Sequence, residues 1–369
     1  MSPKYEYVYI HLPFCDVICH YCDFYTARTK EADHASLFKA LHVDLEEQAD
    51  FLAPSLKAIY FGGGTPGVTP PELIHTFLDQ LKSRITPATE ITLEANPNNV
   101  TKNVVRAWKS AGVTRVSLGI QSLRDPLLKK LGRTHSAEEA KQALETCVTE
   151  IENVTGDLIY AVPDQAIETP TQDALAMINI GVKHLSAYNL TLEPSHFLYQ
   201  KLPSSDLAFQ QIQLLSETIA PLGFEHYEIS NFTLPGHESR NNCNYWMGGP
   251  YLALGPSAHG FDGNNYRWQN IANWKEYVRR AKEGTSRKEM EEILTPEQRL
   301  IEALFTGLRI KRGIHLPTLR DRFGLDLAKQ RAKHLEEFEK SGLGSVTNDH
   351  LVLTFRGRML ADEIARKLL

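Results

Sequence analysis

The chain has 369 residues, 42% hydrophobic and 23% charged, with a formal net charge of −5. That length can bury one large core and a smaller one, and the charge balance lacks the basic footprint of a nucleic-acid binder. No stretch reaches the roughly 18 consecutive apolar residues of a membrane span, and residues 1–11 carry charges where a signal peptide needs an apolar run, so a cytoplasmic protein is expected.

Short apolar runs at residues 5–11, 56–61, 90–94, 115–120, 156–160 and 184–190 read as strands. Patterns of helical spacing cover 35–51, 71–82, 102–111, 137–150 and 171–180 between them. This alternation predicts right-handed βα units on a parallel sheet. Six units stand out, and 226–230 is a candidate seventh strand. A closed barrel needs eight, so the expected fold is α/β, a partial, open (β/α)6-type barrel. A charged run at 282–292 leads to Thr295-Pro296-Glu297-Gln298, a capping box with proline at the first helical position. Two domains are therefore expected, 1–290 and 291–369. The second shows two or three helices, a hairpin over 345–354 turning at Asn348-Asp349, and a last helix ending at Leu369. That order predicts a winged-helix-like module. From Thr295 onward, 14 Lys+Arg stand against 10 Asp+Glu, too slight a bias for a DNA-reading head.

Five cysteines are an odd number, and Cys15, Cys19 and Cys22 are spaced C-x3-C-x2-C just after the first predicted strand. This is a poor disulfide framework. Thiolates so spaced can hold three corners of an iron–sulfur cubane, leaving one iron open to a chelating small molecule. The residues alone also allow a Cys3His zinc knot completed by His11 or His20. The second strand ends in Phe61-Gly62-Gly63-Gly64-Thr65-Pro66. A tight turn needs one glycine; three let the backbone approach a ligand closely. Glu94 and Gln121 end the third and fourth strands, where barrel enzymes carry their chemistry, although either could cap a helix. Cys147 sits in a helical pattern beside Leu144 and Val148 and reads as core.

The cysteine spacing resembles the radical S-adenosylmethionine (SAM) superfamily. The phrases Tyr9-Ile-His-Leu-Pro-Phe-Cys15, Gly-Gly-Gly-Thr65-Pro, Leu-Glu94-Ala-Asn-Pro, Ser-Leu-Gly-Ile-Gln121-Ser, Gly-Arg133-Thr-His-Ser, Asp157-Leu-Ile-Tyr and Leu185-Ser-Ala-Tyr resemble, in order, the anaerobic coproporphyrinogen III oxidase-like family over residues 5–365. The resemblance implies a [4Fe-4S] cluster on Cys15, Cys19 and Cys22, with SAM chelating the open iron. Reduction of the cluster would cleave the sulfonium to methionine and a 5′-deoxyadenosyl radical. It further implies a SAM site of Tyr9, Phe24, Gly63, Gly64, Thr65, Glu94, Gln121, Arg133 and Asp157. Oxidases of the family carry a fourth cysteine two positions after the third, where Phe24 stands, and a longer segment before the cluster than the fourteen residues here. The haem-chaperone branch is the better likeness, with its short N-terminus, Cys-Asp-Phe and small C-terminal domain. It implies haem as cargo, acceptor haemoproteins as partners, at most peripheral membrane contact, and no decarboxylation of coproporphyrinogen III. The rival is an oxygen-independent oxidase or another radical enzyme acting on a tetrapyrrole. One departure is clear: the branch's His-Asn-x-x-Tyr-Trp phrase reads Asn241-Asn242-Cys243-Asn244-Tyr245-Trp246 here. Asparagine is a poor iron ligand, so Cys243 becomes the haem-ligand candidate, a buried free thiol being the equal alternative, with Tyr245 and Trp246 as aromatic contacts and His237 and His259 in reserve.

Overall fold

The computed structural model describes residues 4–369. Strand β1 (Tyr7–Leu12) is followed by two-residue strands β2 (Phe14–Cys15) and β3 (Ala27–Arg28), which pair in parallel and frame the cysteine loop. Strands β4 (Ala58–Gly63), β5 (Glu90–Ala95), β6 (Arg115–Gln121), β7 (Asn153–Tyr160) and β8 (His184–Asn189) then alternate with helices α1 (His34–Gln48), α2 (Pro71–Leu81), α3 (Lys102–Ala111), a short α4 (Asp125–Lys130), α5 (Ala137–Glu150) and α6 (Thr169–Ile180). Local signals set the helix ends. The Thr101 side chain accepts from Val104 N at the start of α3, Ser136 and Glu139 form a capping box at α5, and Gly112 and Gly181 end α3 and α6 in the left-handed conformation.

The strands carry different chemistry on their two faces, as the period of two requires. Ile59, Phe61, Ile91, Leu93, Val116 and Leu118 are buried in the main apolar core with Phe77 of α2 and Trp108 of α3. The intervening positions Tyr60, Glu94, Ser117 and Asp157 carry polar groups that bond to one another across the strands. The six-unit parallel barrel is therefore an apolar shell around a polar interior.

The stretch 226–230 is not a seventh parallel strand. After α7 (Ser205–Ile219), β9 (Glu225–His226) and β10 (Asn231–Thr233) form an antiparallel hairpin, and β10 joins β8. The chain reverses because the Glu228 carboxylate accepts from Ser230 N and from the Asn231 side chain, and Tyr227 N donates to Asn231 O. After α8 (Arg240–Trp246), the parallel place beside β1 is taken by β11 (Leu252–Leu254). The nine-stranded sheet runs β11-β1-β4-β5-β6-β7-β8-β10-β9. A second sheet of β12 (His259–Phe261), β13 (Tyr266–Asn270) and β14 (Lys288–Ile293) follows, with α9 (Trp274–Glu283) between the last two. The charged run thus ends α9 and forms a largely exposed edge strand.

Helix α10 (Pro296–Gly307) starts at the expected Thr295–Gln298 capping box. It leads into β15 (Ile314–His315), α11 (Leu316–Phe323), α12 (Leu327–Gln330), α13 (Ala332–Lys340), the β16 (Gly344–Thr347)–β17 (His350–Leu353) hairpin, α14 (Phe355–Met359) and α15 (Ala361–Leu368). The hairpin turns on Asn348 and Asp349, with φ of 49° and 61°, the left-handed pair of a tight β-hairpin. The arrangement is winged-helix-like, with its own apolar cluster around Leu304, Leu319, Phe338, Leu351 and Ala365. This module meets the β9 end of the large sheet: Ile310 bridges Glu228, Lys311 N donates to Tyr227 O at 2.8 Å, and Arg358 Nη2 donates to His226 Nδ1 at 3.1 Å. At the other edge, Tyr251 beside β11 bridges Phe261 of β12. Among the described residues, no helix is long and apolar enough to cross a membrane.

Candidate functional site

The cysteine loop rests on the end of β4. Gly64 N donates to Leu12 O and Thr65 N to Phe14 O, both at 2.9 Å, and Ala27 N closes the loop onto Pro13 O at 2.8 Å. Cys22 N turns back onto Cys19 O at 3.1 Å. Cys15, Cys19 and Cys22 all line one cavity of about 380 Å³. The Thr65 hydroxyl donates to Cys15 Sγ at 3.3 Å, and Arg133 Nη1 to Cys19 Sγ at 3.5 Å. Burial pushes the Cys15 thiol up to about 11 and raises that of Cys22. Such thiols ionise when a metal supplies the compensating charge.

The histidines of the zinc alternative are committed elsewhere. His11 Nε2–H donates to Tyr25 O at 2.9 Å while its Nδ1 accepts from the Tyr9 hydroxyl at 3.1 Å, and burial lowers its pKa to about 4. His20 pairs with Lys130 O at 2.9 Å and with His196 at 3.2 Å. No three His, Cys, Asp or Glu side chains among the described residues converge as a single-ion site requires. Three thiols and no free imidazole fit an iron–sulfur cluster with one open corner.

Phe24, Gly63, Gly64, Thr65, Glu94, Gln121, Arg133 and Asp157 also line this cavity. Glu94 accepts from the Tyr60 hydroxyl at 2.6 Å and from Gly63 N at 3.2 Å, and burial raises its pKa. Ser117 donates to Asp157 at 3.2 Å; burial, reinforced by the charge of Glu94, pushes the Asp157 carboxyl up to about 7. Arg133 Nη2 holds Asn96 Oδ1 and, at 2.7 Å, Gly119 O, while its buried Nε has no hydrogen-bond partner. Gln121 adopts φ 67° where the β6–β7 register slips, which ends the strand at the cavity. Phe24, 71% exposed, stands at the edge.

Some of the expected residues sit differently from the rest. Tyr9 is not among the residues lining the cavity: its ring stacks on Tyr60 at 6.1 Å and its hydroxyl reaches His11, one layer beneath. The glycines of the cavity have a second reason to be bare, beyond approach to a ligand. A Cβ on Gly64 would lie 2.5 Å from the carbonyl carbon and oxygen of Pro13, and one on Gly63 (φ +111°) would lie 2.6 Å from the His11 ring. Both vacancies are filled by the strand and loop that carry Cys15. Sequence reasoning also missed Asn96, Ser117, Gly119 and Tyr188, which line the same cavity. All four lay inside the quoted phrases, and Ser117 also shares period-two spacing with Gly119 and Gln121.

The haem candidates lie elsewhere. Helix α8 sits at the opposite end of the barrel, where Arg240 N donates to Glu90 at the start of β5 at 3.0 Å and Arg115 at the start of β6 reaches His237 O at 2.9 Å. Glu90 at that end and Glu94 at the cluster cavity are four residues apart on β5, which at about 3.3 Å per residue separates the two ends by roughly 13 Å. Cys243 and Trp246 line a cavity of about 640 Å³, and Tyr245 and Trp246 an adjoining one of about 540 Å³. Burial pushes the Cys243 thiol up to about 12. Asn241 is 1% exposed and lines neither cavity, and neither do the reserve candidates His237 and His259. Cys147 is fully buried in α5, as expected.

The radical SAM superfamily matches residues 9–174, and the HemN C-terminal domain matches residues 294–360. The Heme chaperone HemW of Lactococcus lactis is 30% identical over 100% of this chain and 98% of its own length. That of Mycobacterium tuberculosis is 34% identical over 98% and 94%. Among solved structures, coproporphyrinogen III oxidase (HemN) from Escherichia coli aligns with a TM-score of 0.83 over 100% of this chain and 90% of that one, at 20% identity. That last likeness is one of fold.

Proposed function

This chain belongs to the HemW family within the radical SAM superfamily, and on that premise we propose that it is a haem chaperone, binding haem and handing it to acceptor haemoproteins in the cytoplasm. The observation that carries the proposal is the near end-to-end match, in both directions, with relatives that are themselves haem chaperones. Phe24, standing where the oxidases carry a fourth cysteine, supports a chaperone over a decarboxylase.

Radical SAM membership implies SAM and a [4Fe-4S] cluster. Cys15, Cys19 and Cys22 hold the cluster in this reading, and Gly63, Gly64, Thr65, Glu94, Gln121, Arg133 and Asp157 hold SAM. Bound together, the two supply an electron and a cleavable sulfonium. Arg133, beside Cys19, offsets the negative charge that three thiolates bring into a buried site. Glu94, already held by Tyr60 and Gly63 N, keeps a fixed carboxylate for a cationic ligand. Asp157, poised near 7, ionises readily when a positive charge enters the cavity. Residues 291–369 are proposed as a separate module, supported by their own apolar cluster.

The test is a haem titration of anaerobically reconstituted protein, followed by transfer to an apo-haemoprotein and an assay with coproporphyrinogen III. Stoichiometric haem binding, transfer and no divinyl product are expected. Absence of haem binding, or decarboxylation above a cluster-free control, overturns the proposal.

A further inference from the structure

The two cavities beside α8 form a groove between the barrel and the C-terminal module, sharing Trp246, Met247, Ile310, Arg312 and His350. Its walls combine three features. Trp246 and Met247 supply a large aromatic face and a thioether, Met247 being 54% exposed. Arg312 and Arg322 line the 540 Å³ cavity, and neither makes an ion pair or hydrogen bond among the described residues. His315 and His350 line it too, as directly opposed residues of β15 and β17 with ring centroids 4.8 Å apart.

The imidazoles are prepared in the way metal-binding histidines are. His350 Nδ1–H donates to the Asn348 carbonyl at 2.8 Å, which leaves Nε2 as the bare lone pair, and that Nε2 has no hydrogen-bond partner. His315 Nδ1 is paired with the Thr318 hydroxyl at 2.8 Å. A hydrogen bond from one ring nitrogen to a neighbouring oxygen fixes the tautomer and leaves the other nitrogen for a metal. A flat dianion with a central iron asks for an aromatic wall, two cations and an imidazole or other soft donor.

We propose that this groove is where the chain holds its haem, with the iron ligated by an imidazole of the His315–His350 pair and the two propionates met by Arg312 and Arg322. The inference rests on the haem-chaperone reading and adds the site and its ligands. Cys243 lines only the 640 Å³ cavity, and burial disfavours its thiolate. Haem held here lies at the end of the barrel away from the cluster, so the cargo is not stacked on the sulfonium. The site is also split, with its aromatic wall on the barrel side and its imidazoles in residues 291–369.

The experiment titrates the full chain with ferric haem, followed by absorption and electron paramagnetic resonance, and with metal-free protoporphyrin, followed by fluorescence. Wild type is expected to show imidazole ligation. His315→Gln/His350→Gln should lose that signature and weaken haem binding by about tenfold or more, while metal-free porphyrin binding and cluster content hold. Arg312→Gln, at an exposed position that folding does not need, should weaken both porphyrins several-fold. A histidine double variant with wild-type spectrum and affinity overturns the inference, as does a thiolate spectrum lost in Cys243→Ala. If wild type binds no haem at all, the chaperone reading falls with it.

Discussion

Gly64→Ala tests how the cluster loop is held. The added Cβ would lie 2.5 Å from the carbonyl carbon and oxygen of Pro13 and 3.0 Å from Leu12 O. These are backbone atoms, so no flexible side chain can swing away. Either β4 or the strand bearing Cys15 must move, and both are tied by Gly64 N to Leu12 O and Thr65 N to Phe14 O. Overpacking of this kind costs about 1–3 kcal/mol, which is roughly a 5- to 150-fold shift towards an undocked loop. The core under β4 is on the other face of the strand, so the chain should still fold. The assay is anaerobic reconstitution of the variant, with iron and sulfide analysis, the visible absorbance of the cluster, and circular dichroism of the apo form. We expect apo protein of native secondary structure and a cluster that is lost or easily bleached. A full, stable cluster combined with selectively weakened SAM binding would refute the reasoning, because it would mean that the glycine is bare for the ligand and not for the loop.

Replacing Cys15, Cys19 or Cys22 by alanine should abolish the cluster, whereas Cys147→Ala and Cys243→Ala should keep it; stoichiometric zinc after air-free purification would count against the whole assignment. With Asp157 raised to about 7 from an ordinary 3.8, the folded apo chain favours the protonated form, so this carboxyl makes stability fall as pH rises between about 4 and 7. A cationic ligand works in the opposite sense. SAM affinity should therefore increase from pH 6 to pH 8 by calorimetry, and Asp157→Asn should flatten both trends; equal slopes in the two proteins would exclude the carboxyl as the titrating group. Reduced protein with SAM should leave coproporphyrinogen III unconverted by chromatography, and a Phe24→Cys change alone should not switch conversion on.

Much of the barrel was readable because its strands and helices carry strong local signals. The apolar pairs Ile59/Phe61, Ile91/Leu93 and Val116/Leu118 mark the helix-covered face, and Thr101, Ser136 and Thr295 announce helix starts. The candidate strand at 226–230 falls on the turn between β9 and β10, which is hidden because side chains make it, Glu228 on Asn231, and not glycine or proline. Strand β14 was hidden for the opposite reason: an exposed edge strand needs no apolar face, so Lys288–Ile293 reads as a solvated run. At the site, the three cysteines stood out by their spacing, although spacing alone left zinc and an iron–sulfur cluster both open. The part played by Gly64 was not legible, since what fills the missing side chain is Pro13, some fifty positions earlier. The groove beside α8 was illegible too, because His315 and His350 meet only when the small sheet forms.

An open sheet of nine strands ends in two rows of backbone groups that would welcome a strand from another molecule. Among the described residues, both ends make contacts beyond the sheet. Tyr251 and Phe261 turn the β11 edge into the start of the second sheet, and Ile310 and Lys311 cover the chain beside β9. The winged-helix-like module is thus a seal as well as a wall of the groove, so a chain cut before residue 294 should self-associate through the uncovered β9 edge even while its cluster cavity stays whole.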